Sequence, residues 1–338
     1  MKVRAVLLLA IATLGVACAD PMLSPPPGSS RVDIFDDVWQ DFDLNYSFFV
    51  LKGIDWDSVR AVYRPSALAA TSDVQLSGVI GNMLLGLRDR HVSLTTPGHT
   101  TVYQSRADLT PTPFDPLLIE QRYLADTGVT NGGHVHYGMA GPAVGYLRIP
   151  SFEGTGWENE VDDALSAMGS AKAMIIDVRD NPGGNTGVAA NVAGRFATSS
   201  RTFGYVRIRQ GPKHDDFTGY IAETVSPAGP RQFRGPVYVL TNRRVYSSAE
   251  DFVLAMRVLP SVTTVGDTTA GASGHPIVRE LPNGWTIELS TWIEYTPERA
   301  TFENVGLAPS IEVPATMQDL GAGTDPVLAR AIALASTQ

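Results

Sequence analysis

Cysteine is all but missing from this chain. Of 338 residues only Cys18 carries a thiol, so no intrachain disulfide braces the fold and stability must come from a packed core. Lysine is nearly as scarce, with Lys2, Lys52, Lys172 and Lys213 alone, so positive charge is almost wholly arginine. Positive charge of any kind is outnumbered, 26 Lys plus Arg against 35 Asp plus Glu, for a net charge of -9. That balance argues against a nucleic-acid partner and against adhesion to an anionic membrane face. Long apolar runs are also lacking. The one such run, Val6 to Ala17, is too short for a bilayer core of roughly 30 Å. Disordered, collagen-like and disulfide-scaffold chains are excluded, and the length suffices for a sizeable core.

What is present at the N-terminus fits export. Lys2 and Arg4 precede the short apolar run, and small residues follow it, the pattern of a signal peptide over residues 1–19. Its removal would take the net charge from -9 to -11. Ala17-Cys18-Ala19 suits cleavage that leaves Asp20 first. The stretch Leu14-Gly15-Val16-Ala17-Cys18 also resembles a bacterial lipobox, with Gly15 where leucine is usual. Residues 20–30, rich in proline, read as a tether, which favours a lipid anchor at Cys18 as the sole membrane contact. Both alternatives place the protein outside the cytoplasm, periplasmic or secreted.

Residues 31–95 read as a small helical N-terminal subdomain. Val32, Phe35, Val38, Trp39, Phe42 and Phe49 recur at helical spacing, a short helix ends at Arg64-Pro65, and a third runs from about Ser72 to Leu87 with Asp73 as its cap. Residues 96–142 form an irregular linking region broken by prolines, with β structure around Val135 to Tyr137. From 143 to 338 short buried strands alternate with helices: strands at Val144–Ile149, Ala173–Val178, Pro236–Thr241 and Val262–Gly266, helices at Trp157–Met168, Asn185–Phe196, Ser247–Val258 and Pro326–Ala335. Such alternation predicts an α/β core. Trp285 to Tyr295 reads as a single, more exposed strand.

Three places can carry chemistry. Tyr246-Ser247-Ser248-Ala249-Glu250 follows a buried strand and opens a helix, so the Ser247 hydroxyl meets backbone N–H groups that have no intrahelical partner. A nucleophile beside an oxyanion hole needs that geometry. Ser247 with Glu250 three residues on is equally a capping box. Asp177-Val178-Arg179-Asp180-Asn181-Pro182-Gly183-Gly184-Asn185 follows the most buried strand, and its paired glycines allow a sharp turn and a close backbone approach. It lacks dinucleotide-binding spacing and is otherwise an ordinary turn. Arg88-Asp89-Arg90 reads as an exposed turn, after which His91-Val92-Ser93-Leu94 alternates as a strand with His91 and Ser93 on its polar face. His275 is a reserve candidate for a base. His134 and His136 have no third ligand at diagnostic spacing, so no metal is expected, and no cofactor either.

Taken together, these segments resemble the C-terminal processing peptidases (tail-specific proteases), and among them the branch of the tricorn core protease and interphotoreceptor retinoid-binding protein modules. The resemblance rests on Asp55-Trp56-Asp57 with Tyr63, Asp89 with His91-Val92, the Asp177 to Asn185 segment, Ser247-Ser248-Ala249-Glu250, Gly266-Asp267-Thr268-Thr269-Ala270-Gly271 and Glu303-Asn304-Val305-Gly306-Leu307-Ala308-Pro309. It implies a crotonase-like twisted sheet core with a helical N-terminal region. No complete PDZ module is expected, because residues 94–143 lack its glycine-anchored strand pattern.

The resemblance further implies a serine endopeptidase acting on peptides or unfolded chain ends. Ser247 would be the nucleophile, His91 the general base, Glu303 an acid that arranges the site, and the N–H groups of Gly184 and Ser248 the oxyanion hole. The better-known branch of the family uses a lysine base about 25 residues after the serine; Ala272 stands there, and no lysine lies in a plausible segment. Histidine, with an ordinary pKa of about 6.5, is the natural substitute. Tricorn-like sites carry a serine directly before the histidine, where this chain has Arg90. That departure leaves open a catalytically inactive relative that binds a peptide or an apolar ligand in the same crevice.

Overall fold

The computed structural model describes residues 30–97, 100–104 and 111–337. The expected signal peptide, Cys18 and nearly all of the tether lie outside them. The chain opens with helices α1 (Arg31–Asn45), α2 (Phe49–Lys52), α3 (Trp56–Ala69) and α4 (Asp73–Leu85), then strands β1 (Ser93–Thr96) and β2 (Thr100–Gln104). Next come α5 (Pro116–Arg122), β3 (Ala125–Val129), β4 (His136–Met139), β5 (Val144–Arg148), α6 (Asn159–Ala167), β6 (Ala173–Asp177) and α7 (Thr186–Gly194). The remainder is β7 (Arg201–Ile208), β8 (Ile221–Val225), β9 (Val237–Thr241), α8 (Ser248–Arg257), β10 (Val262–Gly266), β11 (Pro276–Glu280), β12 (Thr286–Ser290), β13 (Trp292–Tyr295), β14 (Ile311–Glu312), α9 (Met317–Gly321) and α10 (Pro326–Ala335).

The expectation of a crotonase-like twisted sheet core is corrected: the strands form three separate sheets in a mixed α/β fold. Seven strands run in the order β14-β10-β9-β6-β5-β4-β3, four in the order β11-β12-β1-β2, and three in the order β13-β7-β8. In the seven-stranded sheet β5, β6, β9, β10 and β14 are parallel, with β4 and β3 added antiparallel at one edge. Alternate residues serve opposite faces. Leu147, Met174, Ile176, Val237 and Val239 pack under α6, α7 and α8, whereas Tyr146, Ile175, Tyr238 and Leu240 pack under α10.

The single strand expected at Trp285–Tyr295 is two strands. β12 pairs between β11 and β1, while β13 pairs with β7 in another sheet. The break falls at Thr291, whose N–H and that of Trp292 both donate to Gly274 O. Through β12 the N-terminal segment is stitched to the distant C-terminal part of the chain, with Ser93 opposite Glu288 and Leu94 opposite Ile287. Leu94, Ile287 and Leu289 share one core with Phe35, Phe42, Phe49 and Trp56 from the helices.

Local chemistry sets the helix ends. Ser30 and Asp33 form a reciprocal capping box on α1. Ser72, rather than Asp73, caps α4 by accepting from Gln75 N. Pro65 does not end α3, which continues to Ala69; the carbonyl that loses its donor belongs to Ala61, which is exposed and can be solvated.

Candidate active site

The carboxyl ends of β6 and β9 lie side by side, with Asp177 opposite Leu240, and the loops that leave them build the site. Loop 178–185 is held from beneath by charge. Arg179 is fully buried and pairs with Asp177 at 2.6 Å and with Asp325 at 2.9 Å; Tyr146 Oη donates to Asp177 Oδ2 at 2.9 Å. The Asp177–Arg179 pair is therefore a structural clamp; stripping one partner from such a buried network costs about 3–5 kcal/mol. Above it Asn181 is a spacer: its Nδ2 donates to Ile149 O and its Oδ1 accepts from Gly183 N.

Both glycines of the loop are dictated by space. Gly183 (φ 91°) lies so close to the next loop that an added Cβ would sit 2.8 Å from Ser247 Cβ and 2.9 Å from Ser248 N. Gly184 (φ 139°) would place one 2.3 Å from the Phe152 carbonyl carbon. Ser247 itself has φ 58° and ψ -141°, a conformation a side chain rarely adopts, costing of order 1–3 kcal/mol. Its N–H donates to Ala272 O at 2.9 Å, and its side chain makes no capping hydrogen bond to α8. Glu250 does not complete a capping box. Fully buried, it accepts from Thr269 Oγ1, Gly271 N and Ala272 N, pinning the segment that in turn holds Ser247. Burial pushes its pKa up to about 7, against those three donors.

The N–H groups of Gly184 and Ser248 donate to no other group among the described residues. Together with Ser247 they line a cleft of about 540 Å³, whose wall also carries Arg90, His91, His275 and Glu288. His91 is buried; in the turn before it Arg88 is exposed as expected and Arg90 half-buried, but Asp89 is buried, and the strand begins at Ser93. His91 Nδ1 lies 3.0 Å from Ser273 O, an acceptor, which fixes the proton on Nδ1 and leaves Nε2 as the lone-pair atom. That Nε2 is buried without a partner and is not hydrogen-bonded to the Ser247 hydroxyl here. Burial lowers the His91 pKa; the Asp89 carboxylate, which accepts from His91 N at 2.9 Å, opposes the shift.

Glu303 is not a solvated surface carboxylate. It is buried, accepts from Ser273 N at 3.1 Å and pairs with Lys52 Nζ at 2.9 Å, so its link to His91 runs through the Ser273 peptide. Burial, then Asp89, raise its pKa to about 8, and Lys52 opposes them. Lys52 also donates to the Leu87 and Arg88 carbonyls. Lys52 and Ser273 gave no such signal in the sequence; the Lys52–Glu303 pair and the Ser273 carbonyl on His91 assign them. His275 lines the cleft with its ring stacked on Trp292, centroids 3.9 Å apart. His134 and His136 pair with different glutamates, Glu160 and Glu120. Among the described residues no cluster of three or more His, Cys, Asp or Glu is arranged to hold a metal, and no helix is long and apolar enough to cross a membrane.

Comparison with known proteins covers both halves of the chain. A sequence model of peptidase family S41 matches residues 143–313, and one of the tricorn protease C1 domain matches residues 27–85. Tricorn protease homolog 1 of Streptomyces coelicolor is 28% identical over 259 residues, covering 75% of this chain and 22% of its own. The carboxy-terminal processing protease CtpA of Bacillus subtilis is 26% identical over 171 residues, 50% of this chain and 34% of its own, so the chain spans only a minor part of either relative. The crystal structure of a candidate peptidase from Parabacteroides merdae superposes with a TM-score of 0.81 at 32% identity, covering 91% of this chain and 97% of that one.

Proposed function

The chain belongs to peptidase family S41, and from that premise we propose that it is a serine endopeptidase acting on peptides or unfolded chain ends, with Ser247 as nucleophile and His91 as base. One observation carries the reading. A serine held in a strained turn, two residues with unengaged N–H groups and a buried histidine with an unpartnered Nε2 all line one cleft.

His91 Nε2 takes the Ser247 proton as Oγ attacks the scissile carbonyl carbon. The carbonyl oxygen, now an oxyanion, accepts from the Gly184 and Ser248 N–H groups. The imidazolium is stabilised by Ser273 O at Nδ1 and by the Asp89 carboxylate, then protonates the leaving amine. Water repeats the cycle on the acyl-enzyme. Glu303 is a positioning residue: it orients the Ser273 peptide that orients His91, and Lys52 favours its charged form. Ala272 fills the position of the lysine base and instead anchors Ser247 through its carbonyl. Export, with either Asp20 first or a lipid on Cys18, belongs to the same proposal.

Ser247→Ala should abolish hydrolysis of a fluorogenic peptide, a loss of about 10⁴-fold or more, with the circular dichroism spectrum unchanged. A fluorophosphonate should label the parent and not the variant. Undiminished hydrolysis by Ser247→Ala would sink the assignment. A parent that binds peptide but neither hydrolyses it nor accepts the label would establish the non-catalytic binder.

A further inference from the structure

Two carboxyl groups on the cleft wall have to share a proton. Asp251 on α8 and Glu294 on β13 both line the cleft, both are buried, and they hydrogen-bond to each other. Ionised carboxylates only accept, so the bond exists only while one of the two keeps its proton. Other residues supply little. Thr186 Oγ1, at the start of α7, donates to Asp251 Oδ2 at 3.2 Å. Among the described residues no other group donates to Asp251 Oδ1 or Glu294 Oε2. Elsewhere the buried acids are equipped differently: Asp177 and Asp325 have Arg179, and Glu303 has Lys52.

The surroundings decide which member keeps the proton. Val206 on β7 stands opposite Glu294, and the charges acting on Glu294 are Asp251, Glu223 on β8 and Glu250 on α8, all acidic. The cleft lining adds Arg90, His91, Tyr246, His275 and Glu288. Burial, then Asp251, then Glu223 push Glu294 well above the usual carboxylate range, and its bond to Asp251 adds to that. Burial raises Asp251 to about 6, and the same bond lowers it, so at neutral pH Glu294 donates and Asp251 accepts. Glu223, raised to about 8 by burial and then Asp251, gains its charge on the alkaline side.

The bond joins parts that the backbone leaves separate. β13 lies at the edge of the three-stranded sheet, laddered to β7 alone. It carries two pieces of the cleft wall: Glu294 itself, and Trp292, on which the ring of the cleft-lining His275 is stacked. α8 begins directly after Ser247. We propose that Asp251 and Glu294 are positioning residues whose one shared proton fastens the β13 wall of the cleft to the nucleophile helix, so that peptide is held tightly only while that proton is present. Once it passes to solvent, two like charges in a buried site repel. β13 then draws away from α8 and takes His275 with it. Ser247 and the oxyanion donors, fixed by main chain, stay in place, so affinity changes and turnover does not. That the cleft holds peptide rests on the peptidase reading; the shared proton does not.

Hydrolysis of the fluorogenic peptide from about pH 6 to about pH 10 should show KM rising by about 10-fold on the alkaline side, with kcat within about 2-fold of its plateau. In Glu294→Gln the amide N–H donates to Asp251 at every pH, and the alkaline rise in KM should disappear. In Glu294→Leu nothing on β13 donates, and KM should be raised by about 10-fold throughout. A merely structural glutamate would give no such reversal. A flat KM in the parent, or an alkaline rise that persists in folded Glu294→Gln, would overturn the proposal. Infrared difference spectra of the parent against Glu294→Gln at neutral pH should carry the carbonyl band of a protonated carboxylic acid; its absence would overturn it too. If Ser247→Ala still hydrolyses, the nucleophile assignment alone falls, since the KM comparison does not use it. If the parent does not hydrolyse, the affinity of the same peptide is measured by calorimetry over that pH range, and the same contrast between parent and Glu294→Gln decides.

Discussion

The two sides of the cleft are built by different physics. On the nucleophile side, Ser247, Ser248 and Gly184 are placed by backbone: two glycines that admit no Cβ, a strained serine, and main-chain hydrogen bonds to Ala272 and Asn181. On the base side, His91 is placed by buried charge, Lys52 to Glu303, Glu303 to Ser273, Ser273 to His91, with Asp89 beneath. A backbone scaffold is indifferent to protonation and intolerant of volume. A charge scaffold has the opposite sensitivities.

Substitution can break that contrast. Gly183→Ala forces a methyl against Ser247 Cβ and the Ser248 N–H, so kcat should fall by about 10²-fold or more at every pH, with modest change in KM. Steady-state kinetics across pH 5 to 9 checks this; a defect that vanishes at one end would deny the steric account. Lys52→Met leaves Glu303 buried without its cation. Stability should drop by about 3–5 kcal/mol in chemical denaturation and kcat by roughly 10-fold, the loss deepening as Glu303 ionises toward high pH. An unchanged denaturation midpoint would mean that the pair is immaterial. The smallest effect concerns the parent. In the proposed mechanism His91 acts as base when neutral, and burial lowers its folded pKa, so kcat/KM should rise with pH through an apparent pKa below 6.5 and be close to its plateau at neutrality. An acidic limb displaced above 6.5 would put another group in that role.

Legibility followed the same divide. The strand–loop–helix units around Gly183 and Ser247 were readable because each is local: a buried strand, glycines, then a helical period within some twenty residues. Strand β10 and helix α10 fall at the expected bounds, and the Ser247 helix begins one residue later. The charge scaffold was not readable. Lys52 sits in a short helix and would pass for a surface residue until β12 folds back on β1. Glu303 gives no local sign of its burial against Lys52 for the same reason, and Asp251 and Glu294 meet only because α8 and β13 converge. The single-strand expectation failed at Thr291, where an unbroken alternation of side chains hides a change of partner. Periodicity reports which face is buried, but not against what.

The pairing of β1 with β12 carries a consequence for synthesis. His91 emerges early from the ribosome, but the strand that flanks it, the carbonyl that orients it and the acid behind that carbonyl lie near residues 288, 273 and 303. A nascent or truncated chain ending shortly after Ser247 would lack both the Ala272 carbonyl that holds the serine and the partners that seat the base. The proposed site is thus completed only when almost the whole polypeptide has been made.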